Sequence, residues 1–184
     1  MSTYRPACSE DYSQLITLQQ YLFSPSPQLL QLVVKTQTIG SCLVSTTQTA
    51  DIIGYALWLG GAEQSGLNTS ALMRESTFNT NEGSDVDTDY MSMTNRKATA
   101  YLAELVIHPA YRRQRRGIQL LNALMTQLTP GTRLTLNVAV NNTPARKLYE
   151  SAGFNPVRRR EEFYRSETTD EISDVDAVIY AKLV

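Results

Sequence analysis

The sequence predicts a mixed α/β fold, with about six to seven strands in one mixed sheet and about four flanking helices. Three observations lead to this expectation. The chain has 184 residues, enough for one domain, 1–184, with a substantial hydrophobic core. Its apolar residues recur at helical spacing in some segments and in short strand-like runs in others. A strand–helix–strand unit in the middle requires two parallel strands, since a crossover helix brings the chain back beside the first strand.

The N-terminal third predicts two helices followed by a strand hairpin. A helix begins near Ser9, where polar residues precede leucines at helical spacing, and the proline-rich stretch before Pro27 ends it. A second, shorter helix begins at Pro27, since proline suits a first helical turn. Ile39–Ser45 and Ile52–Leu59 are apolar runs separated by a short polar stretch, the pattern of two strands joined by a tight connection.

Residues 61–97 differ in composition from the rest of the chain. They are rich in Gly, Ser, Thr, Asn and acidic residues, with only scattered apolar side chains. A loop of this length without its own structure is uncommon inside a compact domain. We therefore expect a polar surface insertion, and a flap over an acceptor site is the alternative interpretation.

The C-terminal half predicts the crossover unit and the closing strands. The predicted elements are strand Ala100–His108, helix Gly117–Leu128, strand Arg133–Val140, a helix from Thr143, and strands Phe154–Tyr164 and Val175–Leu183. The nearly continuous apolar run of the first strand is typical of a central strand covered on both faces. Thr143 followed by Pro144 predicts an N-cap and a first turn for the last helix.

Composition and charge exclude several classes of function. The net charge is −1, so a broad electrostatic surface for nucleic acid or a membrane is not expected. His108 is the only histidine, so a histidine metal site or a serine–histidine triad lacks material, and we predict no metal. Cys8 and Cys42 lie far apart and are expected to be free thiols. The first residues lack a signal-peptide pattern and no apolar segment approaches roughly 20 residues, so we expect a cytoplasmic protein.

One arginine-rich turn predicts a phosphate-binding site. The stretch ELVIHPAYRRQRRGIQLL runs from a strand through a loop into a helix, whose N-terminus exposes unpaired N–H groups and a partial positive charge. Formal charge is added by Arg112, Arg113, Arg115 and Arg116. Gly117 allows close backbone approach because it has no Cβ. A solvated surface or a nucleic-acid patch is the alternative, but a compact cluster in a slightly acidic chain favours a phosphate-bearing cofactor.

This segment resembles the acetyl-CoA-binding motif of the GNAT superfamily of N-acetyltransferases. The pattern in that superfamily is H-P-x-Y-R-x-x-G-x-G-x-x-L-L. Residues His108–Leu121 match it without a gap, with Arg115 at the first glycine position and Gly117 at the second. A register that starts at Gln114 makes Gly117 the first glycine but moves the leucine pair out of place. The ungapped register is therefore preferred.

A second stretch, NVAVNNTPARKLYESAGF, resembles the other signature of the superfamily, N-x-x-A-x-x-L-Y-x-x-x-G-F. Asn142, Ala145 and Tyr149 are spaced i, i+3 and i+7 and therefore share one helical face. Without this context, Tyr149 would be interpreted as an aromatic residue at the core edge. The resemblance implies that the asparagine bonds the pantetheine amides, that the alanine admits the pantetheine arm and that the tyrosine reaches the sulfur. Together the two motifs imply that acetyl-CoA is bound by Leu105, Val106, Ile107, Arg112, Arg113, Gln114, Arg115, Arg116, Gly117, Ile118, Asn142 and Ala145.

The resemblance also implies a GNAT-like, centrally splayed sheet and a reaction. Acetyl-CoA would donate its acetyl group directly to a primary amine in a ternary complex, in a cleft where the two central parallel strands separate. Tyr149 is the candidate general acid for the leaving thiolate, and backbone N–H groups of Leu105–Ile107 are candidates for binding the cofactor and the oxyanion. Glu104 is the candidate general base, since burial would raise its pKa into a useful range. Pairing of Glu104 with an arginine, or its exposure to solvent, is the alternative.

The sequence defines the acceptor less well. Arg158–Leu183 is loosely similar to the ribosomal-protein-alanine N-acetyltransferase subgroup. The sequence does not choose among small amines, aminoglycosides, amino acids and the amino group of a peptide or protein as the acceptor. That subgroup carries a glutamate where this chain has Asn137, and asparagine cannot accept a proton. A sensor that binds acetyl-CoA without turnover is therefore the alternative function. We expect no nucleic-acid or membrane partner, and a homodimer is a further expectation from the superfamily.

Overall fold

The computed structural model describes residues 3–60, 98–168 and 171–184, so the predicted insertion at 61–97 lies outside the described residues. In the described ranges the strands are β1 (Thr3–Pro6), β2 (Gly40–Thr46), β3 (Ile52–Gly60), β4 (Thr99–Ile107), β5 (Arg133–Ala139), β6 (Asn155–Thr168) and β7 (Glu171–Leu183). The helices are α1 (Tyr12–Gln19), α2 (Pro27–Thr36), α3 (Arg116–Met125) and α4 (Thr143–Ser151). Short 3₁₀ turns precede α1 and follow β4, at Ser9–Asp11 and Pro109–Tyr111.

The strands form a single mixed sheet in the order β1-β2-β3-β4-β5-β7-β6. Neighbouring strands are antiparallel except β4 and β5, which are parallel and joined through α3, as the crossover pattern predicts. The pairing of β4 with β5 runs only from Thr99 and Arg133 to Leu102 and Leu136. The rest of β4, from Ala103 to Ile107, has no partner on β5, although residues 104–107 still pair with β3. The two central strands therefore separate at their C-terminal ends, and the expected mixed and splayed sheet is confirmed.

A β-bulge in β4 changes which face of the sheet its side chains meet. Leu57 pairs with Glu104 while the next residue, Trp58, pairs with Leu102, so Ala103 is an extra residue in β4. Before the bulge, Leu102 packs with the core beneath α3 and α4. After it, Glu104 and Val106 face α1 and α2 instead. The bulge thus brings the acidic side chain of Glu104 to the face of the sheet that α1 and α2 cover.

Helices cover both faces of the sheet. One core packs α3 and α4 against the sheet through Leu120, Leu121, Leu124 and Tyr149. The other core packs α1 and α2 through Leu15, Leu18, Leu30 and Val33. Each leucine buried in this way stabilises the fold by roughly 1.5–3 kcal/mol relative to an exposed one. The almost continuous apolar sequence of β4 reflects this two-sided burial.

Two local features differ from the sequence-based expectations. Strand β1 was not predicted, because it has four residues at the sheet edge and three of them are exposed, which leaves no alternating pattern. The predicted N-cap at Thr143 is wrong by one residue. Asn142 is the N-cap of α4, and its Oδ1 accepts the Ala145 N–H at 3.2 Å. Both residue types suit an N-cap, so composition alone did not separate them.

Candidate active site

The split between β4 and β5 opens into a cleft of about 290 Å³. The floor comes from β4 and β5, including Glu104 and Asn137. One wall is the segment that joins α1 to α2, and the other is the face of α4 that carries Tyr149. The hairpin of β6 and β7 contributes Phe163 and Tyr164. Residues from five parts of the chain therefore meet where the sheet loses its continuous pairing.

Tyr149 lies on α4 at the side of this cleft, and its side chain is 8% exposed. Its ring packs edge-on against Phe154 at 5.9 Å and lies 6.3 Å from the ring of Tyr180. No residue in the described ranges hydrogen-bonds its hydroxyl. Burial, with a smaller contribution from nearby Tyr101, raises the pKa of this phenol well above its usual value. Tyr149 is therefore protonated at neutral pH and has a proton to donate.

Glu104 lies on the cleft floor and is 5% exposed. Its Oε1 accepts the Gln19 Nε2 at 2.9 Å and the Ser26 backbone N–H at 3.2 Å. Its Oε2 accepts the Tyr55 hydroxyl at 2.6 Å and the same Gln19 nitrogen at 3.0 Å. Burial raises the pKa of this carboxyl, and the three donors oppose that shift by stabilising the charged form. Neither alternative from the sequence holds, because no arginine in the described ranges pairs with Glu104 and solvent barely reaches it.

Aromatic side chains meet at the mouth of the cleft. Phe23, from the segment between α1 and α2, packs edge-on against Tyr164 of β6 with ring centroids 5.4 Å apart. Phe163 packs against Tyr164 at 4.8 Å, and the Arg160 guanidinium lies over the Phe163 ring at 4.7 Å. These contacts link the two sides of the cleft. Deeper in, Asn137 hydrogen-bonds the hydroxyl of Tyr101, another cleft residue.

The arginine-rich turn lies between the C-terminal end of β4 and the N-terminus of α3. Arg113 and Arg115 adopt left-handed backbone conformations, with φ of 62° and 60°. Arg115 is the N-cap of α3 and stands where the superfamily pattern has its first glycine. Glycine reaches this conformation without steric cost, which gives a physical reason for the pattern. The side chains of Arg113, Gln114 and Arg115 are exposed.

Arg112 is held differently from its neighbours. Its Nε donates to the Ile107 carbonyl at 2.9 Å, and its guanidinium lies over the Tyr21 ring at 5.7 Å from the centroid. The side chain therefore folds back onto the end of β4 and onto the α1 side of the molecule. These two contacts hold the Arg112 side chain in place, whereas the side chains of Arg113 and Arg115 extend into solvent.

Gly117 and Ile118 belong to the first turn of α3. A Cβ on Gly117 would lie 3.2 Å from Cδ2 of Leu148, so the glycine lets α3 pack closely against α4. This packing is a role that was not expected from sequence, and the close approach of the Gly117 backbone to a phosphate stays a prediction. Ile118 packs against the core beneath the two helices. The two sequence motifs therefore contact one another directly through Gly117 and Leu148.

The structure places the remaining predicted cofactor residues around the split. Leu105, Asn142 and Ala145 line the cleft together with Tyr149. Val106 and Ile107 continue β4 towards the arginine turn, on the edge without a β5 partner. Arg116 begins α3 beside that turn. The predicted residues thus follow one path from the turn to Tyr149.

Three residues around Glu104 were not singled out from sequence. They are Gln19, Ser26 and Tyr55. Gln19 lies four residues after Leu15, on the buried face of α1. A polar side chain at a buried helical position indicates a buried hydrogen-bond partner, so the sequence could have identified this residue. Tyr55 gave no signal, because an aromatic residue in a buried strand is ordinary.

Two kinds of feature are absent from the described ranges. There, no group of three or more His, Cys, Asp or Glu side chains is placed to hold a metal ion. Nor does any helix in those ranges have the length and apolar character needed to cross a membrane.

Comparison with known proteins agrees with the fold and the motifs. The model of the acetyltransferase (GNAT) family matches residues 10–154. The [ribosomal protein bS18]-alanine N-acetyltransferase of Haemophilus ducreyi is 40% identical over 67 residues, 35% of this chain. The chain spans about half of that relative, since the match covers 46% of its length.

Solved structures share the whole fold. Arabidopsis thaliana NAA60 in complex with acetyl-CoA gives a TM-score of 0.74 at 18% identity, covering 100% of this chain and 99% of that one. The ribosomal-protein-S18-alanine N-acetyltransferase from Escherichia coli gives 0.66 at 23% identity, covering 98% and 92%. At these sequence identities the similarity shows a shared fold and nothing more. It confirms the GNAT-like fold that was predicted from sequence. The family model matches well over half of the chain. The chain therefore belongs to the acetyltransferase (GNAT) family, a family of acetyl-CoA-dependent N-acetyltransferases.

Proposed function

We propose that this chain transfers the acetyl group of acetyl-CoA to a primary amino group by direct attack in the cleft, with Tyr149 as general acid. One observation carries the proposal. A protonated phenol without a hydrogen-bond partner in the described ranges and a buried carboxylate line the same opening, at the point where the central strands separate. A general acid and a general base that face the same cleft can together accelerate the attack of an amine on a thioester.

The described residues fit acetyl-CoA. Exposed Arg113 and Arg115 beside the N-terminus of α3 suit a diphosphate, since helix N–H groups and guanidinium groups both bind phosphate oxygens. The unpaired edge of β4 offers backbone groups to the amides of the pantetheine arm. Ala145 is small enough to leave space beside Tyr149. The bound coenzyme supplies the thioester that makes the acetyl group transferable.

The chain's own groups then have separate tasks. Tyr149 donates a proton to the departing thiolate, and backbone N–H groups of Leu105–Ile107 stabilise the negative charge that develops on the carbonyl oxygen. Glu104 accepts the proton of the attacking amine, directly or through a water molecule. Its raised pKa suits that task, because a carboxylate nearer to neutral pH is a stronger base.

The acceptor we propose is the amino group of a peptide or protein. Support comes from the relative's name, which specifies the alanine of a ribosomal protein, and from the aromatic mouth of the cleft. A cytoplasmic location belongs to the same proposal, since ribosomal proteins are the relative's substrates. Small amines are the alternative acceptors.

An amine panel with acetyl-CoA, monitored by thiol release, tests the function. Peptides with free N-termini, amino acids and small polyamines form the panel. We expect Tyr149→Phe to lower kcat about 10²- to 10⁴-fold, because a general acid contributes on that order, with CoA affinity retained. Tyr12→Phe, on α1 and outside the cleft lining, is the matched control and should leave kcat unchanged.

The result also separates the two candidate functions. CoA binding without thiol release from any amine would favour the sensor, which the Asn137 in the cleft supports. Turnover with an unchanged rate in Tyr149→Phe would remove this phenol from the mechanism.

A further inference from the structure

The two ends of the segment between α1 and α2 are tied to one carboxylate. Gln19 is the last residue of α1, and Ser26 immediately precedes α2. The Gln19 side chain and the Ser26 backbone N–H both donate to Oε1 of Glu104, at 2.9 and 3.2 Å. The segment between them carries Phe23, which contacts Tyr164 across the mouth of the cleft. The position of this wall therefore depends on a carboxylate in β4.

The surroundings of that carboxylate contain donors but no cation among the described residues. Tyr55 of β3 is fully buried, and burial together with Glu104 raises the pKa of its hydroxyl, so it stays a proton donor. Cys42 of β2 also faces this region, and burial raises the pKa of its thiol, with Glu104 adding to the shift. The group that α1 contributes, the Gln19 amide, is uncharged. The charge of Glu104 is therefore balanced by hydrogen bonds alone.

We propose that Gln19 and Tyr55 are positioning residues for acetyl transfer, which fix the Glu104 carboxylate on the cleft floor and couple it to the wall that carries Phe23. The inference rests on the proposed function, because it concerns the base of that reaction. Neither residue lines the cleft in which the reaction is proposed to occur. Their effect on the reaction passes through Glu104 and through the segment between α1 and α2.

The chemistry of Gln19 suits both charge states of Glu104. In the charged state its Nε2 donates to both carboxylate oxygens. Its own Oε1 is buried and has no hydrogen-bond partner in the described ranges. When Glu104 takes the proton from the amine, a half-turn of the Gln19 amide lets that oxygen accept the new O–H. The segment between α1 and α2 therefore stays hydrogen-bonded to Glu104 until the carboxyl group releases its proton to water.

A Tyr55→Phe variant tests the positioning of the base. Removing this donor leaves the charged form of Glu104 less stabilised, so the pKa of Glu104 rises further. Glu104 acts as a base only in its charged form. The acid limb of the pH profile of kcat/KM should therefore shift to higher pH, on the order of one pH unit. Titration of ¹³C-labelled glutamate carboxyl groups by NMR should show the same upward shift for Glu104. This second readout does not require turnover.

Tyr180→Phe is the matched control. It removes a buried hydroxyl that donates to the Glu150 carboxylate at 2.6 Å, the same distance as in the pair of Tyr55 and Glu104. Neither Tyr180 nor Glu150 lines the cleft. We expect a similar loss of thermal stability, with the acid limb and the Glu104 titration unmoved.

A Gln19→Met variant tests the coupling to the wall. Methionine keeps the length and helix propensity of glutamine but removes the donor. We expect KM for the acceptor to rise on the order of tenfold, as suits the loss of one donor group that hydrogen-bonds a charged carboxylate, with a smaller change in kcat and unchanged CoA affinity. An unchanged acceptor KM in the folded variant would contradict the coupling.

The outcomes separate this inference from the proposed function. If Tyr55→Phe loses stability like Tyr180→Phe but leaves both the acid limb and the Glu104 titration unmoved, the role is structural and the inference is overturned. If the wild-type chain acetylates no amine, the proposed function fails, and the NMR titration still tests whether Tyr55 holds the carboxylate.

Discussion

At the residue scale, Arg115 adopts a backbone conformation that is unfavourable for a residue with a side chain. Its φ of 60° lies in the left-handed region, which costs a non-glycine residue roughly 1–2 kcal/mol. The residue nevertheless caps α3 and presents an exposed guanidinium beside the helix N-terminus. We infer that the backbone strain is retained because the charge serves the diphosphate.

Replacing Arg115 by glycine should therefore leave the free energy of unfolding unchanged or raise it by up to about 1 kcal/mol, since relieved strain outweighs added chain entropy. Urea denaturation measures the change. CoA affinity should fall in the same variant, because one cation is lost. Arg116→Gly is the control, at the first helical position of α3, and should lower stability. A destabilised Arg115→Gly would contradict the strain argument.

The residues of the site differ in how far sequence could identify them. Tyr149, Asn142 and Ala145 were found together because one helical face carries all three within a recognisable motif. Gln19 and Tyr55 lie 85 and 49 positions from the carboxylate they bind. Contacts at such separations follow from strand pairing and helix packing, and no local pattern encodes them. Their roles, like those of Tyr149 and Glu104, are proposals for experiment.

At the element scale, one bulge and one helix start arrange the cleft. The bulge at Ala103 brings Glu104 to the α1 side of the sheet, and it could not be predicted because it exists only in the register between β3 and β4. Asn142 begins α4 and thereby sets the direction in which Tyr149, two turns later, meets the cleft. The starts of α2 and α4 were predicted from sequence to within one residue, since prolines and leucine spacing mark them. The N-cap of α4 was placed one residue too late.

The cap makes a specific prediction for stability. Asn142→Ala should lower the free energy of unfolding by about 1 kcal/mol, because the Ala145 N–H loses its acceptor. Asn142→Asp retains a side-chain acceptor and should restore most of that loss. Asn141→Ala, one residue earlier and exposed, is the control. Equal urea midpoints for Asn142→Ala and Asn141→Ala would show that the cap contributes nothing.

At the scale of the whole molecule, the order of elements was sufficient to predict one mixed sheet, but not its edge strand β1. A crossover helix between two apolar strands implies a parallel pair, and the predicted N-terminal hairpin implies antiparallel pairing of β2 and β3, as observed. The separation of β4 from β5 was expected from family resemblance, since no residue pattern shows where pairing stops. The single-domain organisation and the role of residues 61–97 stay predictions, the latter because the segment lies outside the described residues.

The central claim is that the opening between β4 and β5 receives the coenzyme, with its sulfur at Tyr149. A crystal structure of the chain with CoA tests this most directly. We expect the diphosphate at the turn of Arg113 and Arg115, the pantetheine arm along the unpaired edge of β4, and the sulfur within hydrogen-bonding distance of the Tyr149 hydroxyl. A coenzyme bound elsewhere, or a sulfur directed away from that hydroxyl, would contradict the account.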